Sequence, residues 1–104
     1  MWVQFSDASA DGSAVYPINS TCGLLVNLAT DATASSLSGW GWQNTAYWLS
    51  QATLVRFSTS GAHTMRIQGR EDGVQIDQIV LSARRYLTTL PGAASNDATI
   101  VPKR

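Results

Sequence analysis

Within ten residues, Gly39-Trp40-Gly41-Trp42-Gln43-Asn44-Thr45-Ala46-Tyr47-Trp48, the chain sets four large aromatic rings, two side-chain amides and a hydroxyl. A sugar ring presents an apolar face of C–H groups and a fringe of hydroxyls. It is therefore matched by a flat ring and neutral hydrogen-bonding groups rather than by charge. On that chemistry Trp40, Trp42, Asn44 and Tyr47 are candidate contacts for a neutral poly- or oligosaccharide. The plainer use of the same rings is to plug the end of a β-sandwich. Trp48, beside Leu49, is expected in the core, and one of Trp40 and Trp42 on the surface.

Other chemistry has thinner support. The one histidine, His63, follows Gly61-Ala62 at the mouth of a strand, where capping or packing is its commoner role. Catalysis would need a nucleophile and an orienting acid within its reach. The chain carries no G-x-S-x-G elbow, no phosphate-cradling glycine loop and no Cys/His metal spacing. Glu71 and Asp72 are adjacent beside a turn, whereas a glycosidase holds its two carboxylates on opposite sides of the scissile bond. A non-catalytic role is expected. Asp77 lies in an apolar run between Ile76 and Ile79, so if buried it must be paired, with Arg66 and Arg70 the expected partners.

These residues need β-structure to position them. Apolar positions recur every second residue over short runs bounded by Gly, Ser, Asn and Asp, which predicts an all-β fold. Strands are expected over residues 2–5 and 13–18, with residues 7–12 as the turn between them, and over residues 24–28. Residues 30–39 read as a long loop leading into the aromatic segment. Residues 52–58 and 63–68 read as a hairpin turned by Ser60-Gly61, and Asp72-Gly73 as a tight turn into residues 74–82. In that last run Gln75, Asp77, Ile79 and Leu81 share one face and Val74, Ile76, Gln78 and Val80 the other, the pattern of a central strand. Residues 1–83 are thus read as one β-sandwich domain and 84–104 as an extended tail, with 98–101 able to serve as a substitute strand.

Composition narrows the partners. The 104 residues suit one core. Seven basic groups balance seven acidic ones, and 13% of residues are charged, against about 25% in an average soluble protein. Zero net charge argues against nucleic acid and anionic membrane, which recruit excess Lys and Arg. The lone Cys22 cannot form an internal disulfide. No apolar run approaches the ~20 residues that cross a bilayer, and the start lacks the pattern of a signal peptide.

The run from Ser60-Gly61-Ala62-His63-Thr64-Met65-Arg66-Ile67 through Arg70-Glu71-Asp72-Gly73-Val74-Gln75-Ile76-Asp77-Gln78-Ile79-Val80-Leu81-Ser82 resembles the last hairpin of bacterial galactose-binding-like β-sandwich domains. It is similar to that of family 6 and family 35 carbohydrate-binding modules. Trp2-Val3-Gln4-Phe5-Ser6-Asp7 with Asp11-Gly12-Ser13-Ala14-Val15-Tyr16 resembles a strand pair of the same domains, and residues 39–45 their Trp-bearing loop. The resemblance implies a jelly-roll module that binds sugars without catalysis, outside the cell, as part of a longer secreted protein. It also implies a ligand contact at Gln75, where the family has Asn, and a structural calcium site that includes Asp77.

The chain starts after the family's first strands and acidic calcium partners, so no cofactor is expected and an edge is left open. A jelly roll has about eight strands; five or six are read here. Open edges invite pairing, and the inner faces of Val55, Phe57, Met65 and Ile67 are expected to lack cover. A homo-oligomer, a dimer by edge pairing, is the expected assembly, and a structural self-assembling module is the alternative to sugar binding.

Overall fold

A computed structural model describes residues 1–27 and 39–94. The described residues contain no helix and form two small antiparallel sheets, so the fold is mostly β. In chain order the strands are β1 (Trp2–Phe5), β2 (Ala8–Ala10), β3 (Ser13–Ala14), β4 (Leu24–Leu25), β5 (Arg56–Phe57) and β6 (Met65–Gln68). The first sheet runs β4-β1-β6 and the second β3-β2-β5. The described chain divides into two units, Met1–Asn27 with Gln43–Val74, and residues 39–42 with 75–94. Both sheets lie in the first unit.

β1 is the central strand of its sheet. It pairs with β6 along its whole length, Trp2↔Gln68 to Phe5↔Met65, and with β4 at Trp2↔Leu25 and Val3↔Leu24. Past the end of β4 the same side of β1 is taken by residues 16–18: Phe5 N donates to Tyr16 O at 2.8 Å and Ile18 N to Phe5 O at 3.0 Å. Val3, Gln4 and Phe5 are therefore all buried. Gln4 is a buried polar side chain, and its amide is satisfied by the Ser20 carbonyl at 3.0 Å and the Cys22 carbonyl at 2.8 Å.

The core is small. Val3, Phe5, Ala8, Leu24 and Val26 cluster at its centre, with Val15, Tyr16, Val55, Phe57, Met65 and Ile67 half-buried against them. Phe5 and Phe57 meet edge to face at 5.8 Å and 75°, the arrangement that their ring quadrupoles favour.

Several expected elements differ. Residues 7–12 are not one turn: β2 occupies Ala8–Ala10 and the reversal is confined to Asp11-Gly12. Both turn residues have positive φ, 50° and 80°, as a two-residue hairpin loop requires. Residues 13–18 split. Ser13–Ala14 joins β2, while 16–18 crosses to β1 after Tyr16 takes a φ of 49°. That conformation costs a bulky residue on the order of 1–3 kcal/mol, and Tyr16 is held in it by its backbone bond to Phe5 and by its hydroxyl donating to Ala52 O at 2.7 Å.

The expected 52–58/63–68 hairpin is absent, because β5 pairs with β2 and β6 with β1 in different sheets. Asp72-Gly73 does turn, with Gly73 at φ 77°, but residues 74–82 form no strand, and Ile76, Ile79 and Leu81 are exposed. The Asp-Gly pair sets a reversal; with no partner strand for residues 74–82 among the described residues, the alternation that follows does not build a ladder. Leu28, the 30–38 loop and the 98–101 strand fall outside the described residues.

The outer edge of β4 is closed by a side chain. The Gln51 amide pairs both backbone groups of Leu25, accepting from Leu25 N at 2.9 Å and donating to Leu25 O at 2.9 Å, as a neighbouring strand would. Gln51→Leu removes both bonds and leaves two part-buried backbone groups bare, a loss of about 1–3 kcal/mol. Urea unfolding should show a lower midpoint at unchanged slope; an unshifted midpoint would refute the assignment.

Candidate functional site

Two clusters and one concavity of the first unit carry chemistry-bearing side chains. Ser6 and Asp7 bend the chain from β1 to β2, and residues 58–64 carry it from β5 to β6. At this corner His63 Nδ1 lies 2.9 Å from each Asp7 carboxylate oxygen and its Nε2 lies 3.0 Å from Thr59 O. Ser6 Oγ donates to Asp7 Oδ1 at 2.6 Å and accepts from Thr64 N at 3.1 Å, and Ser6 N donates to Thr64 O at 2.9 Å. The imidazole lies over Phe57, ring centroids 4.3 Å apart with a tilt of 32°.

Serine, histidine and aspartate are thus adjacent, but in the wrong order for nucleophilic catalysis. The carboxylate sits between the hydroxyl and the imidazole, so the Ser6 proton faces the weakly basic Asp7 carboxylate and not the imidazole. The second imidazole nitrogen, which would have to serve the hydroxyl, is spent on a backbone carbonyl. The arrangement is a corner clamp. The Ser6 hydroxyl first, and the His63 hydrogen bond second, hold the Asp7 carboxyl below its ordinary range.

The aromatic segment forms the second cluster. Ala46 is fully buried and anchors a turn closed by Leu49 N donating to Ala46 O at 3.0 Å. Thr45 is held on both sides, its carbonyl accepting from Asn27 N at 3.3 Å and its hydroxyl from Gln51 Nε2 at 3.1 Å. From this fixed base Tyr47 and Trp48 project with 55% and 45% exposure, edge to face at 4.7 Å and 84°. Trp48 is therefore not a core residue as expected, because the buried position of the turn is filled by Ala46. Gln43 and Asn44 are exposed just before it.

The other expected contacts belong to the second unit. Trp40 is 43% exposed, Trp42 is half-buried with Nε1 donating to Gly92 O at 3.0 Å, and Gln75 is exposed. Asp77 is exposed rather than buried, which removes the need for a charge partner. Arg70 instead pairs with Glu71 at 3.3 Å and lies 6.0 Å above the Trp2 ring. Among the described residues no group of three or more His, Cys, Asp and Glu side chains is placed to hold a metal ion.

The concavity, of about 640 Å³, opens where β2 and β5 part beyond Ser9↔Arg56, between residues 9–12 and 52–56. Ser9, Asp11, Thr53 and Arg56 line it with small apolar side chains and no aromatic ring. Sequence reasoning missed this wedge and the corner clamp. Asp11-Gly12 is a hairpin signal for the first, while the second joins positions 56 residues apart.

A carboxylate held below its ordinary range stabilises the fold above the unfolded-state pKa, and that contribution is lost as pH falls through the lower, folded-state pKa. Asp7→Asn should therefore be less stable than the wild type at pH 6, with the difference shrinking as pH drops from about 4 toward 2. Paired urea titrations across that range check it; a constant difference would refute it. Comparison with family models, with curated proteins and with solved structures yields no match for this chain.

Proposed function

We propose that this is a non-catalytic carbohydrate-binding module whose ligand packs against the Tyr47–Trp48 turn. The observation that carries the reading is the pairing of two exposed rings on a turn fixed by Ala46, Thr45 and Gln51, with Asn44 and Gln43 exposed beside it. A neutral saccharide needs an apolar face and uncharged donors and acceptors, and the turn offers both. The wedge between β2 and β5 has hydroxyls and charges but no ring to stack on. Trp40, Trp42 and Gln75 enter this reading through the resemblance to family 6 and family 35 modules, and Trp42 with its ring nitrogen already engaged. The same resemblance supports a jelly-roll sandwich and an extracellular setting within a longer secreted protein.

Soluble neutral oligosaccharides, screened on a glycan array and confirmed by tryptophan fluorescence, should bind. Tyr47→Ala and Trp48→Ala should each weaken the interaction roughly three- to tenfold, the worth of one aromatic contact beyond its area, with the far-ultraviolet spectrum unchanged. Absence of binding across a broad array removes the reading.

A second reading, self-association, rests on the half-burial of Val55, Phe57, Met65 and Ile67 against the core and on β6 ending the first sheet as an edge strand. A two-fold pairing would satisfy both copies with one patch. Sedimentation equilibrium at micromolar concentrations should give twice the 11.2 kDa chain mass; a monomer throughout removes this reading and leaves the first untouched.

A further inference from the structure

The geometry points to His63 as a proton-operated latch on the corner that joins the sheets. Both ring nitrogens face groups that only accept: Nδ1 the Asp7 carboxylate at 2.9 Å, Nε2 the Thr59 carbonyl at 3.0 Å. Both bonds exist together only while both nitrogens carry protons. The neutral ring has one N–H. Turned toward Asp7, it sets a nitrogen lone pair against the Thr59 oxygen, and that contact becomes repulsive. The carboxylate is the stronger acceptor, so loss of the proton releases Thr59 and with it the 58–62 segment, and keeps Asp7.

Among the described residues the ring forms no other ion pair. Phe57 beneath it is uncharged, Ser6 faces Asp7 rather than the imidazole, and Thr59 and Thr64 contribute hydroxyls and backbone only. Arg56 of β5 and Arg66 of β6 are exposed, and among the described residues neither forms an ion pair with Asp7 or His63. Among the described residues Asp7 is thus the one charged group paired with the imidazole. The imidazole lies over Phe57, whose ring meets Phe5 in the core, and its bond to Asp7 keeps it there when Thr59 is released, so the opening is confined to the 58–62 segment. The latch holds from the point where Asp7 is ionised up to the point where His63 loses its proton.

The test is a nuclear magnetic resonance titration of the whole chain from pH 4 to 9. The His63 ring signals, the Thr59 carbonyl carbon and the amides of Ser60, Gly61 and Ala62 should move with one midpoint. Above it, exchange of those three amides, corrected for the intrinsic pH dependence, should rise roughly fivefold, the factor for one ordinary hydrogen bond. In His63→Phe, which keeps the stacking and removes both donors, the exchange should be fast at every pH. If the wild-type ring titrates while the Thr59 carbonyl and the three amides stay still, the latch is refuted, whether or not the variant folds.

Discussion

Residues 6–7 carry the chain from β1 in one sheet to β2 in the other, and residues 58–64 carry it from β5 back to β6. The two crossings are side by side because Ser6 bonds Thr64 through its backbone and its hydroxyl, and Asp7 holds His63. This corner sets the register on both sides of it. Phe5↔Met65 and Ala8↔Phe57 are the pairs that flank it, and a one-residue slip at either would turn Phe5 or Ala8 out of the core. Individually such exposed polar contacts are weak. Their effect here comes from fixing two chain segments at once, since positions that are 56 residues apart in sequence lose most of their relative freedom together.

The rest of the first unit shows the same reliance on side chains where backbone ladders run short. Strands of two to four residues supply few hydrogen bonds. Gln51 stands in for a strand beside Leu25, Gln4 ties the 20–22 carbonyls to β1, and the Tyr16 hydroxyl tethers Ala52. Each bond is of modest net worth, but each satisfies a part-buried group that would otherwise be expensive to leave bare.

What was legible in the sequence was what local pattern decides. Trp2–Phe5 is a strand as expected, and Asp72-Gly73 turns the chain, since glycine accepts the positive φ that Gly73 takes. Partner choice was not legible. The 52–58 and 63–68 runs have the spacing of a hairpin, yet the bend after Phe57 sends them to different sheets, because Ala8 and Ser9 are already placed to take β5. The alternation over residues 74–82 likewise describes what a strand would bury, not whether a neighbour is there to pair with it. The ring-bearing segment was visible from composition. Which ring faces solvent was not, because that follows from Ala46 taking the buried place in the turn.

That placement gives the exposed rings their significance. A buried cluster of five side chains among the described residues would be expected to hold the large rings, since each buries far more apolar area than Val or Ala. Instead the buried cluster around β1 is Val3, Leu24, Val26, Ala8 and Phe5, with Tyr16 and Phe57 half-buried against it, while Tyr47 and Trp48 are about half exposed. The residues that flank them are held, Thr45 by Asn27 and Gln51 and Leu49 by the Ala46 carbonyl, and the two rings meet edge to face. Two large rings so restrained have less freedom left to lose when a ligand packs on them, and the smaller ordering cost leaves more of the contact energy for binding.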